Sequence, residues 1–262
     1  MNFTKGEILT FNKPYRWTSF NLVAKVRGEL SHRLGVKKLK VGHAGTLDPL
    51  ATGVMIICTG KATKQIDELQ SHTKEYIATI KLGATTPSFD METPEDATFP
   101  TEHITRELVD AIIPQFLGRI EQIPPTYSAV KVDGKRAFKY ARQGEEIELK
   151  PKVLVIDEIE VLSFGEVEDA KNELALTTDS KEKIKYQTDN LAGKHLSLTI
   201  RVVCSKGTYI RALARDIANA LGSGGYLTDL IRTRIGKYKL QECLDIEQFT
   251  EWLDRQEIET DN

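Results

Sequence analysis

Stretches with two different apolar periods interleave along this chain without a strict alternation, and no other feature narrows its fold so far. "YIATIKLG" sets Tyr76, Ala78, Ile80 and Leu82 two apart, the spacing of a half-buried strand. "LVIDEIEVLSF" and "LSLTIRVVCS" are further strand candidates, and the apolar run Val54 to Cys58 reads as a buried strand. Helical spacing takes over elsewhere. "GEILTFNKPYRWTSF" reads as a short strand, a proline turn and a helix capped by Thr18 or Ser19 whose apolar positions continue through Leu22, Val23 and Val26. "ITRELVDAIIPQFLG" is helical and closed by Gly118, and "TYIRALARDIANALG" is an amphipathic helix stopped at Gly222. The interleaving predicts an α/β chain of the mixed, α+β kind: a mixed sheet with helices packed on it.

Length and polarity bound this further. At 262 residues the chain can form one large domain or two small ones. The stretch 165–194 is polar and charged and reads as a surface excursion. No run reaches the apolar length of a membrane span, and "MNFTKGEILTFNKPYRW" lacks the apolar block of a signal peptide, so the expected location is the cytoplasm, away from membranes. Cys58, Cys204 and Cys243 are odd in number, far apart and without CxxC spacing, which argues against a disulfide framework and a thiolate metal site.

The net charge of -2 conceals a division along the chain. Residues 1–64 carry a net +8, residues 130–152 a net +3 and residues 200–240 a net +6, with acidic segments between and after them. Gathered on one face, the three basic segments make a footprint for phosphates; scattered, they are a solvated surface.

"GHAGTLDPLATG", from Gly42 to Gly53, holds a single carboxylate, Asp48; the nearest others in sequence are Glu29 and Asp67. Asp before Pro is a common way to open a turn. The buried strand that follows sets Asp48 on a loop feeding the core, where chemistry tends to sit.

Four separated stretches, "NKPYRWTSFNLVAKVR", "VGHAGTLDPLATG", "IPPTYSAVKVDGKRAFKYARQG" and "CSKGTYIRALARD", together resemble the bacterial tRNA pseudouridine synthase B family, the TruB type, in order across most of residues 8–240. The resemblance implies a pseudouridine-synthase-like fold and the isomerisation of uridine 55 in the T-loop of tRNA. It makes Asp48 the catalytic carboxylate and Arg211 the arginine that pairs with it. Tyr76 is implied to stack on the flipped uracil, Tyr209 to stand at the base as a proton acceptor, and Leu230 to line the same pocket. His43 is implied to fill the gap left in the T-loop when bases leave it. Lys13, Lys131, Lys135, Arg136 and Arg142 become phosphate contacts, the last four on a basic thumb, residues 123–152, that closes over the T-loop.

The same resemblance calls for no metal and no cofactor, and for a monomer acting on the T-arm of tRNA without a protein partner. It predicts a catalytic domain over residues 1–240 and a short acidic tail over 241–262, too short for the family's C-terminal RNA-binding (PUA-like) domain. One departure stands out: "TTPSFDMETPE" keeps Asp90 but replaces the family's closing glycine, which predicts an altered loop. The competing class is a non-catalytic tRNA-binding or RNA-chaperone module that uses the same basic surface. A metal-dependent phosphoesterase would need several carboxylates or histidines near Asp48, and that spacing is missing.

Overall fold

The computed structural model describes residues 1–168 and 193–259. Most of the polar excursion expected at 165–194 therefore lies outside the described residues. In chain order the elements are β1 (Ile8–Lys13), α1 (Ser19–Leu34), β2 (Val41–His43), β3 (Thr52–Thr59), α2 (Ile66–Ser71), β4 (Lys74–Leu82), β5 (Ala84–Thr85) and β6 (Ala97–Thr98). There follow α3 (Arg106–Ile112), β7 (Gly118–Gln122), β8 (Lys131–Val132), β9 (Lys135–Arg136), α4 (Ala137–Arg142), β10 (Lys152–Glu168) and β11 (Lys194–Cys204). The chain closes with α5 (Ile210–Ala220), β12 (Gly225–Ile235), β13 (Tyr238–Lys239), β14 (Leu244–Asp245) and α6 (Phe249–Asp254). They divide into two compact units, residues 1–77 with 230–262, and residues 78–229.

In the first unit β1 runs antiparallel to β3 from Ile8↔Cys58 to Lys13↔Gly53, while β14 adds to β1 and the end of β12 adds to β3, both parallel. The pairing is thus mixed, as the interleaved periods predict. β3 is apolar from Val54 to Cys58 because both of its faces are covered there. Met55 and Ile57 join Phe11, Leu22, Val26 and Leu30 in one core cluster, and Val54, Ile56 and Cys58 join Ala62, Leu69 and Ile235 in another. Helix α1 presents its apolar side to the first cluster. Thr18 caps it, accepting from the Asn21 amide at 3.1 Å, and Gly35 ends it with φ 63°.

The expected acidic tail is part of this unit. Ile246, Phe249 and Leu253 are buried in the first cluster, and the Phe249 ring meets Phe11 edge-on at 5.0 Å. Its acidic residues among those described are exposed around three apolar anchors, which a charge count alone reads as a solvated tail.

In the second unit β10 and β11 form a long antiparallel pair from Ile156↔Cys204 to Glu168↔Lys194, with two register shifts, and β7 lies along the other side of β10. Helix α5 buries Leu213, Ile217 and Ala218. It lies so close to β12 that a Cβ on Gly225 would stand 2.7 Å from that of Ala218. The helix expected to run to Gly118 stops sooner. Helix α3 ends at Ile112, and Pro114, with no N–H to continue the ladder, turns the chain into a 3₁₀ turn before Gly118 opens β7.

Candidate active site

Asp48 lies on the loop between β2 and β3, half-buried, and the backbone on both sides of it is tied down. Ser19, at the start of α1, bonds Leu47 twice: its hydroxyl donates to the Leu47 carbonyl at 3.0 Å and accepts from the Leu47 amide at 2.9 Å. On the other side the Pro49 carbonyl accepts from the Lys13 ammonium at 3.2 Å and the Arg16 amide at 2.8 Å. The Ala51 amide donates to the Asp48 carbonyl at 3.1 Å, and the Gly53 amide donates to the Asn12 side chain at 3.1 Å. Gly53 has φ 106°, and a Cβ there would stand 2.2 Å from the Arg232 carbonyl oxygen, so the loop enters β3 at a point only glycine fits.

Two cations are buried beside this loop. Lys13 is 0% exposed, and its ammonium also donates to the carbonyls of Pro14 at 2.8 Å and Trp17 at 2.6 Å. Burial pushes its pKa down to about 7, against the pull of Asp48 and with the help of Arg232. The phosphate contact expected of Lys13 is corrected by this burial: its charge is spent on backbone carbonyls inside the protein. Arg232, 1% exposed, donates to the carbonyls of Val54, Thr46 and Gly45. His43, at the end of β2, is half-buried; burial first and Arg232 second lower its pKa, which favours the neutral ring. Tyr76 on β4 and Leu230 on β12 are buried in the same unit, each 8% exposed.

The second unit holds the other expected residues. Arg211, in the first turn of α5 and 4% exposed, donates to the Ser88 carbonyl at 3.0 Å and the Tyr127 carbonyl at 2.9 Å, with Asp90 at 3.5 Å. Tyr209 precedes α5 and is held by Gln122, which bonds its amide at 2.9 Å and its carbonyl at 3.1 Å. In the loop that departs from the family pattern, Thr93 stands where the glycine was expected, and its hydroxyl accepts from the Ser88 amide at 3.1 Å. Asp90 accepts from the Glu92 amide at 2.9 Å, so side chains close this turn.

On the expected thumb, Lys131, Arg136 and Arg142 are exposed. Arg142 pairs with Glu92 at 3.2 Å and lies 5.4 Å from the Phe138 ring centroid. Lys135 sits 4.0 Å from the Tyr140 ring centroid and bonds Gln143. Among the described residues no three His, Cys, Asp or Glu side chains converge as metal ligands would.

The sequence reading missed Arg232, Ser19 and Gln122. Arg232 was counted among surface cations; the signal available was its place between the apolar Leu230, Ile231 and Ile235 on one strand.

The segment that carries the Asp48 loop is found in relatives. Residues 32–210 fit the model of the TruB family pseudouridylate synthase N-terminal domain. The chain belongs to the TruB family. It is 61% identical over 259 residues to the tRNA pseudouridine synthase B of Phocaeicola vulgatus, covering 99% of this chain and 98% of that protein. It is also 61% identical over 261 residues to that of Bacteroides thetaiotaomicron, covering 100% and 98%. A crystal structure of a Cbf5-Nop10-Gar1 complex shares the fold at 24% identity, with a TM-score of 0.62 over 96% of this chain and 55% of that one, so this chain spans about half its length. The TruB segment takes in His43, Asp48, Tyr76 and Tyr209, stops one residue before Arg211, and includes neither Lys13 nor Arg232. Among the described residues no helix is long and apolar enough to cross a membrane.

Proposed function

We propose that this TruB-family chain isomerises uridine 55 in the T-loop of tRNA to pseudouridine, with Asp48 as the catalytic carboxylate. The observation that carries it is the Asp48 loop: one carboxylate, with its neighbours Leu47 and Pro49 each fixed by two hydrogen bonds. The reaction needs one such group. The N1–C1′ bond of uridine breaks, the uracil turns while still bound, and C5 joins C1′, so that no water is added and no electron leaves. A carboxylate serves by attacking C1′ or by taking a proton from the sugar.

Each remaining residue has a part in that reading. Arg211 takes, on the family resemblance, the part of the arginine that keeps the catalytic carboxylate ionised. Tyr76 stacks on the displaced uracil, Tyr209 faces the base as proton acceptor, and Leu230 lines the pocket. His43, whose neutral form burial favours, occupies the gap that the extruded bases leave. Lys131, Lys135, Arg136 and Arg142 hold phosphates of the T-arm. The enzyme acts as a cytoplasmic monomer without cofactor.

The test is to incubate the protein and its Asp48→Asn variant with unmodified tRNA and map pseudouridine by position. Product at position 55 with the parent and none with the variant, at equal tRNA binding, is the expected result. Binding without product in the parent would establish instead a non-catalytic tRNA-binding module.

A further inference from the structure

Arg232 has a position that its place in a basic segment does not foretell. Its guanidinium is buried and reaches three backbone carbonyls: Val54 at 2.8 Å through Nε, Thr46 at 3.3 Å through Nη1 and Gly45 at 3.2 Å through Nη2. Gly45 and Thr46 lie on the N-terminal side of Asp48, and Val54 lies on the C-terminal side, inside β3. One planar group thus spans both roots of the Asp48 loop. Its backbone is held as firmly as its side chain, because Arg232 pairs in parallel register with Gly53 across a contact that leaves no room for a Cβ.

Arginine suits this task for a stated reason. The guanidinium offers five N–H donors in a fixed fork and keeps its charge when buried, so three carbonyls can be held at fixed mutual distances. A lysine ammonium at the same place presents one point of attachment. Other side chains each hold one loop residue: Ser19 bonds Leu47, Asn12 bonds Gly53, and Lys13 bonds Pro49. The β2–β3 ladder joins the two roots as far as the Ala44 amide, which donates to the Ile56 carbonyl at 2.9 Å, and Arg232 extends that join into the loop at Gly45 and Thr46 through a side chain.

We infer that Arg232 is a positioning residue for the isomerisation: its guanidinium clamps Gly45, Thr46 and Val54 so that the Asp48 carboxylate stands at a fixed place and angle to the reacting sugar. This inference rests on the proposed pseudouridine synthase reading. It assigns Arg232 no contact with RNA. A reacting group held loosely loses rate steeply, since a misplacement of about 1 Å costs up to ~100-fold.

The experiment compares the full-length protein with Arg232→Met and Arg232→Lys. Three quantities are read: the single-turnover rate at saturating tRNA, the dissociation constant for tRNA, and amide hydrogen exchange in peptides covering 44–53 and, as reference, 8–13 and 19–34. The expected outcome for Arg232→Met is a rate about 100-fold lower with tRNA affinity within about twofold, and faster exchange confined to 44–53. Arg232→Lys recovers part of both the rate and the protection. Should the Met variant fail to fold, the Lys variant carries the comparison, because it keeps the buried cation and loses only the fork. A rate unchanged in the presence of faster loop exchange would overturn the inference, as would exchange raised equally in the reference peptides or a loss of affinity alone. A parent protein that forms no pseudouridine defeats the functional reading instead, and the exchange data then decide whether Arg232 clamps the loop.

Discussion

Replacing Phe249 by Ala probes whether the C-terminal segment is structural. The Phe249 ring is fully buried, meets Phe11 edge-on at 5.0 Å and 78°, and lies nearly parallel to Trp252 at 5.8 Å. Truncating a buried Phe to Ala removes about 3–5 kcal/mol, of which the edge-to-face pair accounts for roughly 0.5–1.5 kcal/mol. Helix α6 has six residues and cannot persist without that anchor. At about 2–4 °C per kcal/mol for a fold of this size, the midpoint should fall by roughly 10 °C. Urea unfolding followed by tryptophan emission measures the loss, and Trp252, one of two tryptophans, should shift to the red as its cover goes. A loss below about 1 kcal/mol, the level of an ordinary surface change, with unaltered emission would refute the packing argument.

Lys13→Met tests the buried ammonium. Because the Lys13 pKa falls from 10.5 to about 7, the unfolded chain binds more protons than the native one between those values. The parent should therefore gain stability relative to the variant as pH rises from about 7 to 10, by on the order of 1 kcal/mol per pH unit, and show no relative change below 7; paired urea titrations at pH 6, 8 and 9.5 measure this. Gly53→Ala places a Cβ 2.2 Å from the Arg232 carbonyl at φ 106° and should cost about 2 kcal/mol or more, which calorimetry would detect. Lys135→Ala with Arg136→Ala should reduce the salt slope of T-arm binding by roughly one to two. An unaltered slope in a filter-binding series would move the phosphate path off the thumb.

What the sequence made legible was whatever rests on local pattern. The alternation of "YIATIKLG" became β4, the apolar run Val54–Cys58 became the middle of β3, and the Thr18 cap and the stop before Gly222 bound α1 and α5. The Asp48 loop was visible because an isolated carboxylate among glycines is conspicuous. What stayed hidden was long-range. Lys13 and Arg232 sit in basic segments of the sequence, and the carbonyls of Pro49, Thr46 and Gly45 that hold them reach them only in the fold. The C-terminal segment misled for the same reason: eight acidic residues outweigh Ile246, Phe249 and Leu253 until Phe11 is brought to meet them.

The clamp also sets an order of events during synthesis. Arg232 follows the carbonyls it holds by 178 to 187 residues. At roughly 5–20 residues per second a ribosome releases the Asp48 loop about 10–40 s before the guanidinium that fixes its two roots exists. Throughout that interval the growing chain can hold the Asp48 loop only through residues near its own beginning, Asn12, Lys13, Arg16 and Ser19. A message broken before codon 232 yields a polypeptide that has the Asp48 loop and lacks the side chain bridging Gly45, Thr46 and Val54.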